Sequence, residues 1–311
     1  MEEISSKFGT MVGARQAILR EIKSPLNEEC AVDALHVYDT PPEGVADDWT
    51  MPQNWQQFTE TDHDRWREFA AKQTLALEGL ASDTFLEGVR ALELDRLGVP
   101  EFERWNERLR EITGWQVVAV PGVIPNEPFF KMLADRKFPV ANFLRQGPSF
   151  EYNDEPDMFH DVYGHMPMFI DPTFGEFMTA YGRAGMRAEK LGMSDWLGRL
   201  YLHTVEFGLI REGNALRAYG AGLMSSHAET LHALTSEEPR RLRFDLPRLM
   251  RTEWPFDTFQ PTYFVIESFA ALLEEMETTS LKDVYDEVRD LPLIPIGEPA
   301  PSDQPYDIAP A

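Results

Sequence analysis

From residue 61 onward the chain falls into helical register. Trp66, Phe69, Gln73 and Leu77 share one face, Thr61 and Asp64 stand near its start as a capping-box pair, and Gly79 ends the run. Phe85, Val89 and Leu92 mark a second helix, and Phe102, Trp105, Leu109 and Ile112 a third that begins just after Pro100. The period then changes. Residues 115–120, WQVVAV, are rich in β-branched side chains and break at Pro121 and Gly122, which predicts a short strand, a loop VIPNEP and a small helix over 129–133. Residues 139–156 read as extended, and helical spacing returns over 172–213. Residues 216–226 read as an irregular β segment leading into a helix capped by Ser226 and Glu229, and one more helix is expected over 268–277. The ends differ. Residues 1–40 carry a short helical pattern over 11–22 and a polar stretch, followed by a loop to residue 55 held down by Trp49 and Trp55, while 292–311 hold six prolines and no periodicity. The pattern predicts a mainly α fold: a single domain over 45–280 with short β segments, an N-terminal arm over 1–44 and a poorly ordered, acidic, proline-rich tail over 281–311.

Composition narrows the function classes. With 43% hydrophobic and 12% aromatic residues there is material for a sizeable core, so global disorder is excluded. The formal charge of −24 repels phosphate backbones and anionic headgroups, which argues against nucleic acid or membrane as partner and for a small-molecule function. Cys30 is the only cysteine, so neither an intrachain disulfide nor a multi-thiolate metal site can form. The first residues lack a basic start, and no stretch is apolar for long enough to span a bilayer; a cytoplasmic protein is expected.

Two of the seven histidines lie five positions apart in EPDMFHDVYGHMPMF, as His160 and His165. A separation of four would put both imidazoles on one helical face, whereas five turns them about 140° apart on a helix of 3.6 residues per turn. A local distortion is needed for the two to act together, and Gly164 is a plausible place for it. The apolar neighbours Met158, Phe159, Val162, Tyr163, Met166 and Phe169 would bury the pair, a setting in which neutral imidazole ligates iron, zinc or copper. A carboxylate at Glu206, among Leu202, Val205, Phe207 and Leu209, needs a cationic partner if it is buried. A shared metal would supply that partner and complete a two-histidine, one-carboxylate face with open positions, as in non-haem Fe(II) oxygenases. A zinc hydrolase and a structural metal clamp use similar ligands, so both stay open at this point.

Several stretches carry a resemblance. VVAVPGVIPNEPFF at 117–130, FPVANFLR at 138–145, EPDMFHDVYGHMPMF at 155–169, TVEFGL at 204–209 and AYGAGLMSS at 218–226 resemble, in order and spacing, the pterin-dependent aromatic amino acid hydroxylases, nearest to the short bacterial phenylalanine 4-monooxygenase branch. The likeness spans about residues 45–275. It implies that His160, His165 and Glu206 hold Fe(II) and that a tetrahydropterin co-substrate reduces dioxygen. It implies that Gly122, Val123, Ile124 and Asn126 contact the pterin, that Phe129 stacks on its ring, and that Asp161 and Tyr201 line the same cavity. Arg145 would take the carboxylate of a free aromatic amino acid, with Gly222 and Ser225 completing that side and Pro156, Leu202 and Phe207 walling the ring. The activity implied is conversion of L-phenylalanine to L-tyrosine by a monomer, since neither a regulatory domain nor a heptad run for tetramerisation is seen. One position departs from the family: where a Trp usually follows the Tyr of the Glu-ligand segment, this chain has Tyr201, Leu202 and His203. The iron ligands are untouched, but the ring pocket is altered, which leaves tryptophan 5-hydroxylation or phenylalanine 3-hydroxylation as alternatives on the same scaffold.

Overall fold

The computed structural model describes residues 40–145, 156–255 and 258–306. Residues 1–39 of the arm expected over 1–44, its helical pattern included, residues 146–155 of the expected extended segment and residues 307–311 of the expected tail lie outside the described residues. Helix α1 (Glu60–Leu77) is capped two residues earlier than the sequence suggests. The segment TETDHD offers two capping boxes, and Thr59 with Asp62 forms the real one: Asp62 takes the Thr59 backbone N–H at 2.8 Å, and the Thr59 hydroxyl accepts from Asp62 N at 3.3 Å. Asp64 instead pairs with Arg67 on the helix surface. Trp66, Ala70, Gln73 and Leu77 are buried, close to the expected face. Helix α2 (Asp83–Ala91), capped by Ser82, packs close against the chain near Pro167, because a Cβ at Gly88 would lie 2.1 Å from the Pro167 carbonyl oxygen. Helix α3 (Phe102–Ile112) contributes Asn106, whose amide accepts from Val117 N at 2.7 Å and donates to Val117 O at 2.9 Å, standing in for a neighbouring strand.

Val117 belongs to β1 (Gln116–Val120), the expected strand. It pairs in parallel with β2 (Lys137–Ala141) through the crossover helix α4 (Asn126–Ala134), so the small helix starts earlier than 129. Helix α5 (Pro172–Leu191) lies against α4 because Gly182 and Gly185 carry no side chain there; a Cβ at Gly185 would sit 2.0 Å from the Phe130 ring. The helical run expected over 172–213 is broken by Gly192 at φ 66, resumes as α6 (Ser194–Tyr201) and a π-helical turn (Leu202–Glu206), and then ends. Its last residues are β3 (Leu209–Glu212), a hairpin partner of β4 (Ala215–Ala218) across Gly213 at φ 59.

After β4 come α7 (Ala221–Met224), α8 (His227–Thr235), β5 (Arg240–Arg243), α9 (Leu246–Met250), β6 (Thr262–Ile266), α10 (Phe269–Thr278) and α11 (Leu281–Val288). The second sheet runs β4-β3-β6-β5, with β6 parallel to both neighbours and buried along its whole length, which explains its unbroken run TYFVI. Residues 281–306 of the segment expected as a poorly ordered tail are instead bound to the domain. Residues 281–288 form a helix that buries Val284 and Val288, Asp303 pairs with the buried Arg248 at 2.5 Å, and Tyr306 N reaches Arg241 O at 2.7 Å. Proline fixes φ and suppresses helical period without preventing a chain from packing as an extended strap. No helix among the described residues is long and apolar enough to cross a membrane.

Candidate metal centre

The distortion demanded by the five-residue histidine spacing is present, and it spans the whole interval. His160–His165 form a π-helical turn, whose i to i+5 hydrogen bonding brings residues five apart towards one face. A Cβ at Gly164 would lie 3.0 Å from Ala221 O, so this glycine lets α7 approach the turn. The second π turn, Leu202–Glu206, presents Glu206 to the first. One carboxylate then straddles both imidazoles: His160 Nε2 lies 3.4 Å from Oε2, and His165 Nε2 lies 3.3 Å from Oε1. Each residue offers a ligand atom within 4.8 Å of the others, and the histidine rings stand nearly perpendicular at 88°.

Electrostatics favour the ligand forms. Burial pushes the His165 imidazole below its ordinary value and so keeps it neutral. Burial alone would raise the Glu206 carboxyl, but the two imidazoles against its oxygens hold it well below the usual carboxylate range. His160 Nδ1 lies 3.1 Å from Ser225 Oγ, and the Ser225 hydroxyl donates to Ala221 O at 2.9 Å. With its one proton committed there, Ser225 accepts the Nδ1 proton, which leaves the lone pair on Nε2 facing Glu206. Ser225 therefore holds a histidine, a task beside the substrate-carboxylate contact that the resemblance implies for it.

The remaining expected residues have varied surroundings. Tyr201 packs 6.1 Å from the His165 ring and 5.8 Å from the Phe129 ring, and Phe138 flanks His165 at 4.9 Å. The loop Gly122, Val123 and Ile124 leads from β1 into α4, with Gly122 at φ 149. Asn126 is buried and donates to Glu189 Oε1 at 2.6 Å, and Asp161 accepts from Ala141 N at 2.9 Å, tying the first π turn to the end of β2. Gly222 makes room for Phe207, since a Cβ there would lie 2.8 Å from its ring. Pro156 and Leu202 are half-buried. One functional residue was missed. Asp157, fully buried, accepts from Arg145 Nε at 2.9 Å, Arg145 Nη2 at 2.6 Å and Arg145 N at 2.9 Å, and also from His160 N at 3.1 Å. A single carboxylate thus fixes the guanidinium, which sits 5.8 Å from the Phe159 ring, and anchors the turn that carries the histidines.

Known proteins resemble this chain in sequence and fold. The sequence pattern of the biopterin-dependent aromatic amino acid hydroxylase family matches residues 50–285. The phenylalanine-4-hydroxylase of Caulobacter vibrioides is 45% identical over 263 residues, 85% of this chain and 89% of that one. The phenylalanine-4-hydroxylase of Ralstonia nicotianae is 46% identical over 251 residues, 81% and 80% of the two chains. Phenylalanine hydroxylase from Chromobacterium violaceum, in a crystal structure bound to cobalt, aligns with a TM-score of 0.81 at 41% identity, over 86% of this chain and 95% of that one. The chain belongs to the biopterin-dependent aromatic amino acid hydroxylases.

As a hydroxylase of this family it is an iron- and tetrahydropterin-dependent monooxygenase of aromatic amino acids. The residues suit such a metal: His165 Nε2 is buried without a hydrogen-bond partner among the described residues, and His165 offers a ligand atom within 4.8 Å of those of Glu206 and His160. His203, which follows Leu202, packs away from the ligand cluster, against Thr252 and Phe264. Its ring is buried, donates from Nε2 to Thr252 O at 3.3 Å, and packs 5.2 Å from Phe264. Burial pushes its imidazole down to about 3. An unfolded histidine protonates near pH 6.5, so between those values only the unfolded state binds the proton. Stability is therefore full above about pH 6.5 and falls on acidification, by up to about 1.4 kcal/mol per pH unit from this group. His203→Phe is expected to flatten the fall in urea midpoint between about pH 6.5 and 4. A midpoint that fell as steeply as in the parent would assign the acid sensitivity to another group.

Proposed function

We propose that this hydroxylase converts L-phenylalanine to L-tyrosine, with His160, His165 and Glu206 as the ligands of Fe(II). The observation that carries the reading is the convergence of two imidazoles and one carboxylate, with ligand atoms within 4.8 Å of one another and His160 Nδ1 3.1 Å from Ser225 Oγ. Iron and the tetrahydropterin, when bound, supply dioxygen activation. The chain supplies position. Arg145, held in plane by Asp157, takes the substrate carboxylate as a bidentate donor. Pro156 and Phe207 wall the aromatic ring, and Gly222 leaves Phe207 its space. The 122–126 loop and Phe129 take the pterin, with Tyr201 bridging Phe129 and His165 and with Asp161 fixing the turn from behind. A monomer in the cytoplasm, free of nucleic acid and membrane, completes the reading; the charge of −24 and the lack of a spanning helix among the described residues support it. Sedimentation at working concentration tests the monomer.

A second reading is favoured by Leu202, which opens the π turn ending in Glu206 and is half-buried. His203 cannot fill the space of a missing indole, because its ring is committed to Thr252 and Phe264. Leucine in place of a flat wall relaxes discrimination by about 1–3 kcal/mol, so tryptophan is expected to be hydroxylated alongside phenylalanine, with some meta product. The test is an assay of Fe(II)-loaded protein with tetrahydropterin against phenylalanine, tryptophan and tyrosine, products identified. Tyrosine as the main product from phenylalanine is expected, and its absence would overturn the first reading. Leu202→Trp should depress tryptophan turnover and sharpen para-hydroxylation; unchanged kcat/KM ratios would remove Leu202 from the pocket.

A further inference from the structure

Glu189 sits in the last turn of α5, where the helix dipole disfavours an acid. Its Oε1 accepts two hydrogen bonds from outside that helix. Asn126, the first residue of α4, donates at 2.6 Å, and Ser194, the first residue of α6, donates from its hydroxyl at 2.7 Å. Helix α6 has no other side-chain cap, and Met193 before it is in a non-helical conformation. One carboxylate oxygen therefore joins the start of α4, the end of α5 and the start of α6. The far end of α6 is Tyr201, which rests on Phe129 of α4 and on His165, and the chain continues from there into the turn bearing Glu206. Helices α4 and α6 are thus fastened to each other twice, by the Glu189 bridge and by the Phe129–Tyr201 contact.

We propose that Glu189 is a positioning residue that sets the 122–126 loop and Phe129 at a fixed distance from the metal-ligand turn. It touches neither substrate nor metal; it acts through Asn126 and Ser194. The inference rests on the reading that this loop and Phe129 take the pterin. Losing the bridge frees the start of α4, so Glu189→Ala should raise the KM for tetrahydrobiopterin about tenfold, the scale of one hydrogen-bonded linkage. The phenylalanine KM and the iron content should stay near those of the parent. Glu189→Gln keeps an acceptor oxygen for both donors and should restore the parent values. Ser194→Ala should give a smaller shift of the same kind, and adding it to Glu189→Ala should change nothing further. Equal rises in both KM values, loss of iron, or a Gln variant as impaired as the Ala variant would overturn the proposal. Phe129→Leu separates the two readings. If it raises the pterin KM and Glu189→Ala does not, the loop binds pterin and the bridge is irrelevant; if neither variant raises it, the loop assignment falls and takes this inference with it.

Discussion

Glu206→Ala is expected to leave a folded protein that holds almost no iron and hydroxylates no amino acid. The carboxylate is the only anionic member of the cluster, and it meets one imidazole with each oxygen, at 3.4 and 3.3 Å. Without it, only two imidazoles remain to hold a divalent cation in a buried, apolar setting, and the loss in affinity should exceed the roughly 10–100-fold that follows removal of a partner one bond further out. The fold should survive, because truncating Glu206 removes a buried charge and leaves behind a His165 imidazole that burial keeps neutral. His165→Ala should act likewise. Ser225→Ala should fall between, with iron bound more weakly through a His160 ring free to change tautomer. Metal analysis per chain, far-UV circular dichroism and steady-state turnover on the same samples decide the matter. Full iron and full turnover in the His165 variant would break the ligand assignment, and zinc-dependent hydrolysis without pterin would return the hydrolase alternative to consideration.

How much of this could be read from the sequence depended on whether a feature was local. The histidine spacing required a departure from the α-helix, and the π turn at His160–His165 is that departure. The second π turn at Leu202–Glu206 left no mark, since its residues are ordinary helix formers and the extra residue per turn is imposed by the surroundings. Strands of four or five residues, such as β3, β4 and β5, are too short for a two-residue period to stand out, and β3 was absorbed into the helical run before it. The strap over 289–306 was misread because proline hides period, while the pairing of Asp303 with Arg248 is long-range. Asp157 was overlooked for the same reason. Its nearest clue was Arg145 at the end of an apolar run, a cation that had to find an anion within reach of a short loop.

Asp157→Ala is expected to be the most destabilising substitution at the site, at about 3–5 kcal/mol. The carboxylate is fully buried and receives four hydrogen bonds, three from Arg145 and one from His160 N, so its removal takes the bidentate anionic partner from an arginine that is itself only 9% exposed. The Phe159 ring beside that guanidinium offsets only part of the loss, since a cation over an aromatic ring contributes about 0.5–2 kcal/mol. Arg145→Ala should behave differently. It leaves Asp157 with two backbone N–H donors, so its stability loss should be smaller, while kcat/KM for the amino acid falls by about 2–4 kcal/mol with the pterin KM little changed. The double variant Arg145→Met with Asp157→Leu removes both charges, and its unfolding midpoint should lie above that of Asp157→Ala, because the penalty of the single change is the uncompensated charge rather than the missing attraction. Activity should not recover with stability, since the group that holds the substrate carboxylate is gone. Urea titrations of the three variants beside their KM values separate the two tasks. Loss of stability in the double variant as great as in Asp157→Ala would mean that the carboxylate matters through His160 N and the turn it anchors, and equal rises in the substrate and pterin KM of Arg145→Ala would show that Arg145 serves the fold alone.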